Sequence, residues 1–284
     1  MELIAKPVPL GEADYRALVK LIYEASGISL GDNKQELVKT RLGKRLRALG
    51  LDSYREYIRY LSEAGDDQEL MLMINAISTN FTSFYRERQH FDFLLRTALP
   101  EIVRKKQAAR SRKLRAWCAA ASSGEEPYTL ALTLLEFFDD PVAWDIKLLA
   151  TDISTKVLSQ AVRGLYPLER VKTVQPVLLE RYFERLAGEE GVMFRVTDEV
   201  RRHIVFRRLN LMDRVFPFSG PFDFISCRNV MIYFDPPTQE AVVEKLLRYL
   251  APGGYLLIGH SENLPAAFRT RVEVLAPATY RKPG

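Results

Sequence analysis

The segment that most constrains this chain is Trp117-Cys-Ala-Ala-Ala-Ser-Ser-Gly-Glu-Glu-Pro-Tyr128, taken with Ala150-Thr-Asp-Ile153 downstream. Lys113 to Ala121 is an apolar run bounded by charge, as in a parallel strand buried on both faces. It gives way to small residues and Gly124, and a helix restarts with Glu125, Glu126 and Pro127 in its first turn. Acidic side chains suit the positive end of a helix dipole, and a proline there forfeits no hydrogen bond. Asp145 to Thr151 reads as a second strand, with Asp152 just past its carboxyl end. This order of strand, tight turn, helix, strand and acid describes the nucleotide-binding unit of a doubly wound sheet, whose acid accepts hydrogen bonds from ribose hydroxyls. An ordinary βαβ unit with a capped helix shares the spacing.

What the unit lacks narrows the ligand. A pyrophosphate needs several glycines for close backbone approach, and only Gly124 is present. Two carboxylates at the helix start would repel phosphate. A cofactor with a ribose and no phosphate fits better. S-adenosyl-L-methionine (AdoMet) is the common one, and its sulfonium and ammonium groups favour a nearby carboxylate.

The chain has 284 residues, long enough for one large domain and a smaller one. Its 47% hydrophobic and 27% charged content is ordinary for a globular protein. No apolar run approaches a membrane span and no signal-peptide pattern opens the chain, so a cytoplasmic location is expected. Cys118 and Cys227 each fall in or at the end of an apolar strand without metal-type spacing, and read as packed thiols in a reducing compartment. Three scattered histidines argue against a metal site. The net charge of +5 and pI near 9.1 favour an acidic partner, without choosing among nucleic acid, membrane and protein.

The first seventy-odd residues read as helices: Glu12 to Ser26 stopping at Gly27, Lys34 to Leu49 stopping at Gly50, Tyr54 to Glu63 capped by Ser53, and one from Asp66 or Asp67 to about Ile77. The second carries Lys34, Lys39, Arg41, Lys44, Arg45 and Arg47 opposite its apolar face, either a solvated surface or a docking face. Ser78 to Glu87 is polar with interleaved aromatics, a packed junction rather than a linker, and Gln89 to Gln107 is a further helix. Beyond Asp152, Ser154 caps a helix that ends at Gly164. The βα rhythm then breaks. Val177 to Leu186 looks helical, Gly188 to Gly191 turns, and Val192 to Val196 and His203 to Arg208 look like strands of a small antiparallel insertion at about 165–208, whose edge could accept a peptide. The rhythm resumes with a strand from Phe222 to Cys227, a helix from Thr238 to Leu250, a strand from Tyr255 to Gly259, and a hairpin of Val272 to Leu275 with Ala278 to Arg281.

Two motifs mislead. Asp235-Pro236-Pro237 resembles the acidic motif of methyltransferases acting on exocyclic amines, but Thr238 stands where an aromatic is needed, so it reads as a helix start. Gly259-His-Ser-Glu262 lacks a nucleophile elbow and reads as a turn lining the pocket.

Four segments together resemble the CheR family of chemotaxis receptor methyltransferases: Ser78-Thr-Asn-Phe-Thr-Ser-Phe-Tyr-Arg-Glu87, Trp117 to Tyr128, Ala150 to Ile153, and Cys227-Arg-Asn-Val-Met-Ile-Tyr-Phe-Asp235 with Gly259 to Glu262. The resemblance implies an α/β fold: a Rossmann-like AdoMet-dependent methyltransferase domain, mostly parallel with a C-terminal antiparallel hairpin. A small antiparallel β-subdomain is inserted in it, and an all-α domain precedes it. Residues 1–77 would be the helical domain for receptor docking, 78–90 a junction contributing to the cofactor site, and 91–284 the methyltransferase domain. The implied activity is transfer of methyl groups from AdoMet to glutamate side chains of chemoreceptor cytoplasmic helices, leaving S-adenosyl-L-homocysteine (AdoHcy), without metal, nucleic acid or membrane insertion, by a monomer.

The resemblance also implies roles. Asn80, Thr82 and Arg86 would contact the cofactor from the junction, and Glu126 (Glu125 if the helix start slips) its methionine end. Asp152 would bind the ribose, Asn210 and Leu211 the adenine side, and Arg228 and Asn229 the methionyl portion. Arg86 and Tyr233 would face the transferring methyl, and the inserted sheet could hold a receptor C-terminal peptide. Lys39, Arg41, Lys44, Arg45 and Arg47 would meet acidic receptor surface. The rival reading is a non-catalytic AdoMet-binding scaffold.

Overall fold

A computed structural model describes residues 8–63, 67–188, 191–218 and 220–284. The chain forms two compact units. The first comprises the described part of Met1–Thr79 together with Tyr233–Asp235. Its helices are α1 (Glu12–Ser26), α2 (Gln35–Leu49), α3 (Tyr54–Glu63) and α4 (Asp67–Ile77). Gly27 and Gly50 end α1 and α2 in left-handed conformation, and the Ser53 hydroxyl accepts from Glu56 N at 3.2 Å, as the sequence predicts. The alternative start at Asp66 lies outside the described residues, as does part of the turn after Gly188. Leu18, Ile22, Val38, Leu42, Leu46, Tyr57, Met73 and Ile77 share one core. Glu69, only 2% exposed, accepts from Arg45 at 2.6 Å and from the Tyr57 hydroxyl at 2.8 Å.

The second unit holds the remaining residues. It opens with α5 (Gln89–Phe93), a π-helical turn over Leu94–Ala98, and α6 (Leu99–Ala108), which together fill the single helix predicted there. Pro100 supplies a reason for the wide turn, since its ring excludes the carbonyl four residues back and it has no N–H to donate. The α/β core follows as β1 (Lys113–Cys118), α7 (Glu125–Phe137), β2 (Asp145–Asp152) and α8 (Thr155–Arg163). Next come β3 (Leu165–Pro167), α9 (Leu168–Val171), α10 (Pro176–Tyr182), β4 (Phe183–Gly188), β5 (Gly191–Val196), α11 (Asp198–Arg201) and β6 (Ile204–Arg208). The chain closes with β7 (Phe222–Cys227), α12 (Pro236–Tyr249), β8 (Leu250–Ile258), β9 (Glu273–Ala276) and β10 (Thr279–Arg281).

Seven strands form the main sheet in the order β6-β2-β1-β7-β8-β10-β9. The first five are parallel, while β10 pairs antiparallel with both β8 and β9. Two expectations are corrected. Ile204–Arg208 pairs parallel with β2 at the edge of the main sheet, so the small antiparallel sheet is β3-β5-β4 and ends at Val196. The helix expected from Val177 to Leu186 stops at Tyr182, and Phe183 onwards is strand. Short strands flanking an insertion have similar apolar patterns, and only pairing partners tell them apart.

Cys118 and Cys227 are fully buried free thiols, and burial pushes both well above the ordinary thiol range. The native protein is therefore expected to resist a thiol reagent at pH 8, with both cysteines reacting on denaturation. Rapid labelling of either in the folded state would contradict this packing.

Candidate functional site

The sheet order reverses at β1, which has β2 on one side and β7 on the other. Chain connections leave a crevice outside the carboxyl ends of the strands at such a point. Asp152, Glu126, Arg228 and Asn229 all lie where β2, α7 and β7 open onto it.

The turn after β1 is shaped by its glycine. Gly124 sits at φ 102°, and a Cβ there would meet the Tyr166 hydroxyl at 2.6 Å and Ala161 Cβ at 2.9 Å. Ser122, also at positive φ (48°), donates its N–H to Asp152 Oδ2 at 2.8 Å, and Ser154 N–H reaches Oδ1 at 2.9 Å. Burial raises the Asp152 pKa, and these backbone donors oppose the rise. The Ser122 hydroxyl donates to the Asn80 carbonyl at 2.9 Å, which ties the junction to the turn.

The two glutamates of α7 diverge. Glu125 is fully buried and pairs with Arg170 and the Ser123 hydroxyl. Glu126 places Oε2 2.9 Å from Arg228, while Oε1 accepts from the Ser226 hydroxyl at 2.6 Å. Arg228, with a side chain 1% exposed, joins two carboxylates, because its other edge pairs with Glu87 at 3.1 Å. It also donates to the Arg86 carbonyl and lies 5.4 Å over the Phe91 ring. Glu87 further accepts from Asn229 Nδ2 at 3.1 Å and His260 N at 3.2 Å. Burial alone would raise the Glu87 pKa, but the Asn229 bond and the Arg228 pair outweigh it and bring the carboxyl below its ordinary range.

Asn229 holds a left-handed conformation, φ 57°, and its N–H donates to Glu262 Oε2 at 2.9 Å. Gly259 N–H reaches the same oxygen at 2.6 Å and Ile232 N–H reaches Oε1 at 3.2 Å. Gly259 has no room for a side chain, since a Cβ would lie 2.5 Å from Asn229 Nδ2. Burial raises the Glu262 pKa against those backbone donors.

Other predicted residues lie near this network or apart from it. Thr82 is buried. Arg86 is half-buried, donates to the Phe81 carbonyl at 2.8 Å and stacks 5.5 Å over the exposed Phe81 ring. Asn210 folds an Asx turn onto Met212 N at 3.0 Å, with buried Leu211 between them, just after Leu209 N–H reaches the Asp152 carbonyl at 3.0 Å. Tyr233 belongs to the helical unit, where its carbonyl accepts from Ser29 N at 2.8 Å. On α2, Arg45 is spent on Glu69, and Arg41 donates to the Ile77 and Ser78 carbonyls. Lys39 pairs with Glu36 at 3.2 Å, and Lys44 and Arg47 are exposed.

Sequence reasoning missed Glu87 and Glu262 as organising carboxylates. Both stand in the quoted motifs, but the signals that single them out are the positive φ of Glu87 and Asn229, the burial of Glu262 and the half-burial of Glu87. His90 and His260, expected to be scattered, meet with ring centroids 4.6 Å apart. Around the crevice, the carboxylates of Asp152, Glu125, Glu126 and Glu87 outnumber the guanidiniums of Arg86, Arg170 and Arg228. This excess of negative charge suits a cationic ligand with hydroxyls and disfavours a phosphate.

Comparison with known proteins agrees in both units. Residues 13–78 match the CheR methyltransferase all-alpha domain, and residues 80–280 match the CheR methyltransferase SAM binding domain. The chain belongs to the CheR methyltransferase family. A relative from Borreliella burgdorferi, a chemotaxis protein methyltransferase, is 41% identical over 93% of this chain and 92% of its own length. Another of that name from Salmonella typhimurium is 42% identical over 89% and 85%. Chemotaxis protein methyltransferase 2 of Pseudomonas aeruginosa is 43% identical over 88% and 86%. The CheR SAM binding domain thus spans the crevice and its whole carboxylate network. Among the described residues, no helix is long and apolar enough to cross a membrane.

Proposed function

We propose that this protein transfers methyl groups from AdoMet to glutamate side chains on the cytoplasmic helices of chemoreceptors. The observation that carries the reading is the Glu126–Arg228–Glu87 chain, with Asp152 at the carboxyl end of β2, at the switch point of a CheR-family SAM binding domain. Bound AdoMet supplies an electrophilic methyl carbon on a sulfonium. Asp152, already fixed by two backbone N–H groups, keeps lone pairs for ribose hydroxyls. Glu126 and Glu87 supply negative charge, and Arg228 fixes where both carboxylates stand.

A substrate glutamate is ionised at neutral pH, so its oxygen attacks without a general base. The chain then has only to align acceptor, methyl and leaving sulfur, and positioning is its main contribution. Arg86, held by the Phe81 carbonyl and ring, presents a guanidinium suited to steering a carboxylate. The reading is tested by incubating the protein with labelled AdoMet and a receptor signalling fragment. Carboxyl methyl esters release labelled methanol in base, whereas label stable to alkali contradicts an ester.

For receptor docking we assign the exposed Lys44 and Arg47 of α2. Reversing Arg45 would strand the buried Glu69, so it reports stability rather than docking. Lys44→Glu with Arg47→Glu is expected to slow receptor methylation through weaker association, by a factor that shrinks at high salt, with AdoHcy affinity unchanged. Normal methylation by the double variant at low ionic strength would make this face a solvated surface. The edge strand β4 of the small sheet would then be the better candidate for receptor contact, through an added peptide strand.

A further inference from the structure

Glu87, His90 and His260 bring two imidazoles and a carboxylate together, with no two of their ligand atoms more than 4.8 Å apart. His90 Nδ1 lies 3.6 Å from Glu87 Oε2, close to the roughly 3.4 Å that separates ligands at 2.0–2.2 Å from one tetrahedral ion. His90 is 1% exposed and neither ring nitrogen completes a hydrogen bond, although the Pro277 backbone faces the ring. A buried imidazole that completes no hydrogen bond is costly unless something else satisfies it. His260 is exposed, which gives an ion a route in and leaves its ring free to close the remaining gap. Glu87 itself sits at φ 56°, a left-handed conformation that only a well-determined surrounding structure maintains.

We propose that Glu87, His90 and His260 form a site for a borderline divalent transition metal such as Zn²⁺, and that its occupation opposes cofactor binding. Two imidazole nitrogens and one carboxylate oxygen suit zinc and its neighbours rather than Mg²⁺ or Ca²⁺, which demand oxygen. The ion would share Glu87 Oε2 with Arg228, placing its two positive charges and the guanidinium's one on a single carboxylate, near the ammonium that AdoMet and AdoHcy both carry. Arg228 would lose part of its hold on Glu87, and the crevice part of its negative charge. By reciprocity, bound cofactor weakens the metal by the same factor. The opposition rests on the cofactor reading given above; the metal site does not.

The test titrates zinc sulfate, then cobalt(II), into the full chain in metal-free buffer, by calorimetry and by the visible spectrum of cobalt. One Zn²⁺ per chain is expected, lost in His260→Ala and in His90→Gln and kept in His203→Ala, with no heat from Mg²⁺. His260 is exposed, so its variant keeps the fold, checked by thermal melting. Bound zinc should weaken AdoHcy in the wild type and leave it unchanged in His260→Ala. Absence of zinc uptake, or uptake that survives His260→Ala, overturns the site. An AdoHcy affinity indifferent to bound zinc overturns the opposition. A wild type that binds zinc but never AdoHcy removes both the opposition and the cofactor reading, and leaves the zinc site standing.

Discussion

Replacing Arg228 with Met is expected to cost about 3–5 kcal/mol of folding stability and to abolish measurable AdoHcy binding. Its side chain is 1% exposed and joins Glu87 and Glu126, exposed 15% and 8%. Removing the shared cation leaves two largely desolvated carboxylates without their counter-charge, and neither can recover its hydration without moving strand or helix ends. Glu126 retains the Ser226 hydroxyl and Glu87 retains Asn229, which is why the loss is bounded rather than total. The double variant Arg228→Met, Glu87→Gln should cost less than the sum of the single changes, because the glutamine carries no charge to strand. Denaturant unfolding of the four proteins measures this coupling. Additive effects would mean that the pair contributes nothing cooperative, and that Arg228 is held by Phe91 and the Arg86 carbonyl instead.

The second large effect is expected on the ligand. Asp152→Ala should weaken AdoHcy by about 10- to 150-fold, the equivalent of the 1.5–3 kcal/mol typical of hydrogen bonds to a charged group. A pH dependence accompanies it. Burial raises the Asp152 pKa in the free protein, so the proton is lost at a higher pH than from an ordinary aspartate. Ribose hydroxyls donate to the ionised form, so binding should strengthen as pH rises through that raised pKa and weaken as it falls. Asp152→Ala should lack this segment of the profile. Calorimetry across pH measures both, and a variant with wild-type affinity would place the ribose elsewhere.

The fold was legible wherever local chemistry sets it. Gly27, Gly50 and Gly164 end α1, α2 and α8 in the left-handed conformation that glycine adopts without strain, and Ser53 and Ser154 cap the starts of α3 and α8 with side-chain oxygens. The β1–α7–β2 unit follows from an apolar run, a glycine and an acidic helix start. The place of β6 was not legible, because strand pairing is a long-range property: Leu148 and Ile204 are partners only after the whole small sheet intervenes. The same holds within the site. Asp152, Glu126, Arg228 and Asn229 were found from motifs, and the structure brings them to one end of the sheet. Glu87, Glu262 and His260 act through contacts made across the fold, and their positive-φ neighbours carry no sequence mark, since neither Glu87 nor Asn229 is glycine.

The central claim is that the acceptor is a glutamate carboxylate, and the most direct measurement is mass spectrometry of a chemoreceptor cytoplasmic fragment after reaction with AdoMet and this protein. The account predicts methyl groups on glutamate side chains of the receptor helices, removed by mild base and absent when Asp152→Ala replaces the wild type at low AdoMet. Methylation confined to lysine, arginine or another base-stable position, or an unmodified receptor fragment alongside methylated nucleic acid, would contradict it.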